Sequence, residues 1–190
     1  MIHLPGFGVK SLAAKKRTIP LRLIPPPGSP VQLRIPSVPL PPYRFVPGLN
    51  AHPMRHPEGH LYGHEEPTWT RCVSWKEDVQ FLRGCDLFDH RYLWECHEVW
   101  EGMWHQVDRS EPLSHLLQGL IQVAASTLKR HVNHLRGARQ LHEMSIEHFE
   151  IVREMEGDQF YGVRMPILIS HATDCFLRDR WPNIPLLPHD

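Results

Sequence analysis

Acidic residues are missing from the first 57 positions, where eight Lys and Arg precede the first acid, Glu58. The whole chain is formally neutral, so the remainder carries 13 Lys and Arg against all 21 acids and is about eight charges negative. A body of that sign is a poor partner for phosphate backbones, and nucleic-acid binding is not expected of it. Also missing is any run approaching 18 apolar residues, which disfavours a spanning helix. The N-terminus has no continuous apolar segment followed by a small-residue cleavage site, which disfavours secretion. Its acid-free, basic composition is that of a transit peptide, but Pro5, Pro20, Pro25, Pro26 and Pro27 would interrupt the amphipathic helix such a peptide needs. The four cysteines are separated by 13, 11 and 79 residues, so no C-x-x-C pair suggests a zinc ribbon or a dithiol redox site. Reduced thiols in the cytoplasm are the expectation.

Proline is abundant and concentrated: 13 of the 19 fall within residues 1–57, where they remove backbone donors and oppose helix. The expected organisation is a disordered basic tail over 1–37, an extended non-helical arm over 38–70, a helical bundle over 71–180 and an extended C-terminal tail over 181–190. Tyr43, Phe45 and Tyr62 are the anchors that would dock the arm. Within the body, Ser74 and Glu77 have capping-box spacing, Gly84 marks the end of a short first helix, and Asp86 or Asp89 can cap a second that runs to about Gln106. Ser110, Glu111 and Pro112 open a third helix reaching about His131. A fourth is predicted over Gly137–Glu156 and a short fifth over Pro166–Arg178. Five helices with short links imply an all-α antiparallel bundle.

The second helix carries the run WECHEVWEGMW. At 100° per residue, Trp94, His97, Glu98, Glu101 and Trp104 share one sector of about 120°. Solvated helix faces rarely repeat Trp and core faces rarely carry acids, so carboxylates on this mixed stripe are expected to be partly buried. A buried carboxylate must be hydrogen-bonded, paired, protonated or metal-bound. The third helix offers Gln118 and Gln122 one turn apart, with His115 and Ser126 near their flanks, and the two helices are expected to face each other.

Several readings of this stripe stay open. His97 and Glu101 can hold a divalent metal with Glu98 as base, as in the H-E-x-x-H helix of zinc peptidases, although Glu101 stands where that motif has histidine. The Glu-x-x-His spacing of di-iron bundles occurs nowhere in the chain. Without metal, Glu98 or Glu101, raised in pKa among Trp94, Trp100 and Trp104, can act with His97 as an acid/base pair. Or the set is a closed polar network that specifies register. Glu95 lies about 100° from the stripe and is a secondary candidate that can simply meet solvent. Cys96 is expected to be packed and inert. His52, His56, His60 and His64 recur every four residues, but Pro53, Pro57 and Gly59 oppose a helix there, so they read as turn histidines of which a loop can bring two over the bundle.

The run FDHRYLWECHEVWEGMW, then LLQGLIQVAAS and a helix opening at RGARQL, resembles the bacterial and archaeal family called domain of unknown function 309. The arm PLPPYRFVPGLNAHPMRHPEGHLYG resembles an N-terminal extension of some members, and residues 1–36 fall outside the likeness. The resemblance implies a compact all-helical bundle with Trp94, Glu95, His97, Glu98, Glu101, Gln118, Gly119 and Gln122 at signature positions, and implies no activity. Cys96 stands where members commonly have alanine, and Gly102 and Met103 replace a larger or branched pair.

The expected function is binding of a small molecule or metal with hydrolase-like acid/base chemistry, His97, Glu98 and Glu101 being catalytic candidates and Glu95, Trp94, Gln118, Gln122 and Trp104 binding candidates. The alternative is a non-enzymatic interaction or structural module, with partners met by a homo-oligomer face or by the basic residues Lys10, Lys15, Lys16, Arg17 and Arg22.

Overall fold

A computed structural model describes residues 21–64, 68–178 and 180–188. The rest of the expected tail, with Lys10, Lys15, Lys16 and Arg17, lies outside the described residues. Five helices follow one another: α1 (Val79–Asp89), α2 (Leu93–Trp104), α3 (Pro112–His131), α4 (Leu135–Glu156) and α5 (Met165–Leu177). Between α4 and α5 a two-residue antiparallel hairpin pairs β1 (Gln159–Phe160) with β2 (Val163–Arg164). The architecture is an all-α bundle in which each helix packs on its neighbour in sequence, α3 lying against α2, α4 and α5. No helix of the described residues is long and apolar enough to cross a membrane.

The core is one cluster fed by every helix: Phe81 and Leu82 from α1, Trp100 and Met103 from α2, Leu113 to Leu120 from α3, Phe149 and Val152 from α4, Leu168 from α5. The α3 start at Pro112 matches the expected boundary, because proline's fixed φ suits the first turn and its missing N–H would be unsatisfied there in any case.

Three boundaries differ from the sequence reading. Ser74 and Glu77 form a turn rather than a capping box, and Asp78 caps α1 by accepting the Phe81 N–H. Asp78 wins because it is fixed from three sides: its buried carboxylate also accepts from Trp69 Nε1 (3.1 Å) and the Tyr161 hydroxyl (2.7 Å). Gly84 does not end the helix; it sits inside α1, where a Cβ would stand 2.1 Å from Trp100 Nε1. The missing side chain lets α1 and α2 approach closely. Asp86 and Asp89 do not cap α2 either, being in α1, and α2 begins after a reversal in which Arg91 takes φ 67°.

Those two aspartates meet residues of the 21–37 segment. Asp86 accepts the backbone N–H groups of Arg34 and Ile35, while the Arg34 guanidinium bridges Asp86 (2.9 Å) and Asp89 (2.7 Å). Asp89 also takes the Ile184 N–H at 2.7 Å, so one buried acidic pair ties both ends of the described chain to α1. Ile24 is buried, and His90 and Arg91 hold the carbonyls of Val31 and Pro26. Prolines keep this segment from forming a helix, yet the Arg22, Pro26 and Val31 carbonyls and the Arg34 and Ile35 N–H groups are met by side chains of the bundle. The segment from 38 to 64 continues along α1 and α2, with Val46 fully buried.

Candidate functional site

The acid that α2 buries is Glu95. Leu93, Cys96, Trp100 and Met103 face the bundle core, and Trp94, His97, Glu98, Glu101 and Trp104 are all half-buried. Glu95, read from the sequence as able to meet solvent, is 3% exposed because the arm lies over it. Its Oε1 accepts the Phe45 N–H at 3.0 Å; its Oε2 is buried with no partner. Burial pushes its pKa from 4.5 up to about 7, against the pull of its own and Phe45's backbone N–H and of the Arg44 guanidinium.

His60 faces it. The imidazole Nε2 is 3.9 Å from Glu95 Oε1, too long for a hydrogen bond, and both ring nitrogens are buried without a partner. Burial lowers the His60 pKa, so the ring is held in its neutral form. The edge of Tyr43 packs on the ring with centroids 4.7 Å apart, and the Tyr43 hydroxyl anchors to the Ala51 carbonyl at 2.8 Å. Gly59 is required just before it, since a Cβ would fall 2.1 Å from the Pro53 carbonyl oxygen. The four histidines thus divide. His52 and His56 accept local N–H groups from Met54 and Glu58 through Nδ1, as turn histidines, and the His52 ring also packs on Trp94 of α2, whereas His60 and His64 line a cavity against the bundle.

Glu95 and His60 line a cavity of about 300 Å³ between the arm and the α1–α2 face. Val38, Pro41, Met54, Leu61, Leu87 and Val99 supply apolar wall, and Glu98, Arg83, Gln80 and His64 supply polar wall. Arg83 donates both terminal nitrogens to arm carbonyls, those of Val38 and Pro39. A second cavity of about 430 Å³ is lined by Trp94 and His97 together with Leu21, Pro47, Leu128 and Lys129.

The sequence stripe itself is brought together only in part. His97 Nδ1 lies 3.1 Å from Glu98 Oε1, and one ligand atom from each of His97, Glu98 and Glu101 falls within 4.8 Å of the others. Trp94 packs instead on Phe45 and His52 of the arm, at 5.4 and 5.2 Å. Trp104 stacks under the Arg109 guanidinium. Helices α2 and α3 do face each other, but the expected glutamine bridge does not form: Gln122 is buried with its Oε1 unpartnered, and neither it nor Gln118 makes a side-chain hydrogen bond to the α2 acids among the described residues. Cys96 is fully buried and donates to the Leu93 carbonyl, with burial raising its pKa.

In the sequence His60 and His64 read as turn histidines, of a set from which a loop can carry two over the bundle, and Arg83 is missed by that reading. One signal was present: Glu95, Glu98, Val99 and Gly102 recur at i, i+3, i+4 and i+7, a second face of α2 on which an acid accompanies an apolar residue and a glycine. All four line the cavity.

No curated protein matches the chain. Residues 81–141 match the model of the family described as Domain of unknown function (DUF309), a stretch that begins within α1 and ends within α4. It includes Glu95, His97, Glu98, Glu101, Gln118 and Gln122, while His60 and the arm precede it. Over that stretch, about a third of the chain, the sequence is similar to the DUF309 family.

Proposed function

We propose that the protein binds a small molecule in the cavity between the arm and α1–α2, with Glu95 as the group that exchanges a proton with it. One observation carries this reading. Four acids are buried among the described residues, and three of them are closed by partners: Asp78, Asp86 and Asp89 each accept two or more hydrogen bonds from side chains or backbone. Glu95 alone keeps a buried oxygen unpartnered, beside an imidazole with both nitrogens free and beside a cavity. Polar groups buried without partners are costly, and here both belong to residues that line a cavity of ligand size. In the ionised form Oε2 can take a proton from a bound group and, once neutral, return it, with the neutral His60 ring as the second proton acceptor. That is acid/base chemistry of the hydrolase kind, moved from Glu98 and Glu101 to Glu95.

Ligand-observed NMR of a fragment set tests it with the wild type and Gly102→Leu. A Cβ at Gly102 meets nothing within 4 Å, so leucine is accommodated by the helix and fills the cavity. Fragments that bind the wild type and fail to bind the variant support the reading; equal binding, or no fragment bound to the wild type, counts against it.

A divalent cation on the outer face of α2 is a second reading, favoured by the mutual 4.8 Å reach of His97, Glu98 and Glu101. Equimolar metal retained after dialysis, and lost in Glu101→Gln, is the expected result; metal retained equally by that variant counts against it.

A further inference from the structure

Resting on the reading of the cavity as a small-molecule site, we infer that its ligand is a small organic cation, a primary amine or amidine carried on an apolar body. The lining includes Glu95 and His60, whose Oε2 and ring nitrogens are buried without a partner just behind the wall. A second carboxylate, Glu98, lines the same space. The one guanidinium in the lining, Arg83, has both terminal nitrogens committed to the Val38 and Pro39 carbonyls, so it is spent on the arm and does not recruit an anion. An ammonium presents three donors and an amidinium four, which matches a set of acceptors; a carboxylate or phosphate would meet two carboxyl groups. The apolar wall of valine, proline, methionine and leucine fits a hydrocarbon body, and about 300 Å³ lies at the small end of ligand cavities.

The same arrangement gives the cation a chemistry. Ionised Glu95 accepts one proton from the bound ammonium, leaving a neutral amine with a free lone pair and a protonated carboxyl. No other atom changes hands in that step.

Calorimetric titration of the full chain with three probes of one shape, benzylamine, benzyl alcohol and benzoate, separates the ligand class from the cavity reading. Benzylamine is expected to bind one to one, benzyl alcohol at least tenfold more weakly and benzoate not at all. Glu95→Gln is expected to erase at least tenfold of the benzylamine affinity, and Gly102→Leu to abolish binding. If benzyl alcohol or benzoate binds the wild type as tightly as benzylamine and Gly102→Leu still blocks it, the cation is wrong and the cavity stands. If none of the three binds, or Gly102→Leu changes nothing, both fall. Circular dichroism and melting check each variant; should Glu95→Gln not fold, the half-exposed Glu98→Gln reads the same charge, with about a threefold loss expected and an unchanged affinity overturning the inference.

Discussion

A carboxyl group whose pKa rises on burial makes the fold pH-dependent in a definite direction. Glu95 is pushed from 4.5 up to about 7, so between these values the folded chain holds a proton that the unfolded chain has released. Stability therefore falls as pH rises from about 4.5 to about 7 and is level beyond, by an amount on the order of 3 kcal/mol. The groups that bear on Glu95 are His60 and Arg44 from the arm and Glu98 from its own helix, and none removes the sign. Urea unfolding at pH 5.5 and pH 8 is expected to show the wild type losing stability while Glu95→Gln loses much less; equal losses would contradict the burial argument. At the next residue of interest, Gly59→Ala must push back the Pro53 carbonyl that a Cβ would meet at 2.1 Å. The expected cost is about 1–3 kcal/mol, accompanied by loss of fragment binding as His60 is displaced. An unchanged melting temperature with retained binding would show the turn to be slack.

The elements of the bundle are set by their ends and their close approaches. Asp78 closes α1 by meeting Phe81 N–H, Trp69 Nε1–H and Tyr161 O–H at once. Asp78→Ala removes the cap and leaves a buried indole N–H unmet, which together cost about 2–4 kcal/mol; thermal unfolding measures it, and a cost below about 1 kcal/mol would place the cap elsewhere. Helix α2 is the opposite case. Its Gly102 has open space where a Cβ would be and no left-handed backbone, so Gly102→Leu is expected to stabilise by about 0.5–1 kcal/mol through helix propensity while filling the cavity. A variant that is more stable and does not bind separates function from folding at this position. The α2 pattern was readable as a helix because Leu93, Cys96, Trp100 and Met103 follow the 3.6-residue period of a buried face. Which of its acids is buried was not readable, since periodicity assigns faces relative to the bundle and says nothing of a segment that covers the opposite side.

At the scale of the whole molecule, the arm and both ends of the described chain are fastened to one acidic pair. Arg34→Ala leaves Asp86 and Asp89 buried without their cation and is expected to cost about 3–5 kcal/mol. Because Arg34 fastens the segment that leads into the arm, hydrogen exchange in residues 21–64 is expected to accelerate more than in α3 and α4; uniform acceleration would mean that this segment and the bundle open together. Sequence by itself determined that five helices form, since local periodicity and Pro112 act over a few residues and do not wait for tertiary contacts. It also determined that α2 mixes tryptophan with acids and that α3 faces it. Only the tertiary structure decided that Gly84 is a contact rather than a stop, that Asp86 and Asp89 are anchors rather than caps, and that Glu95 rather than Glu98 or Glu101 is the buried acid. The physical reason is the same in each case: the deciding partner is distant in sequence, Trp100 for Gly84, Arg34 for the aspartates, and Phe45 and His60 for Glu95. A proline-rich arm has no period to read, and its docking is written in the unmet groups of the helices it covers.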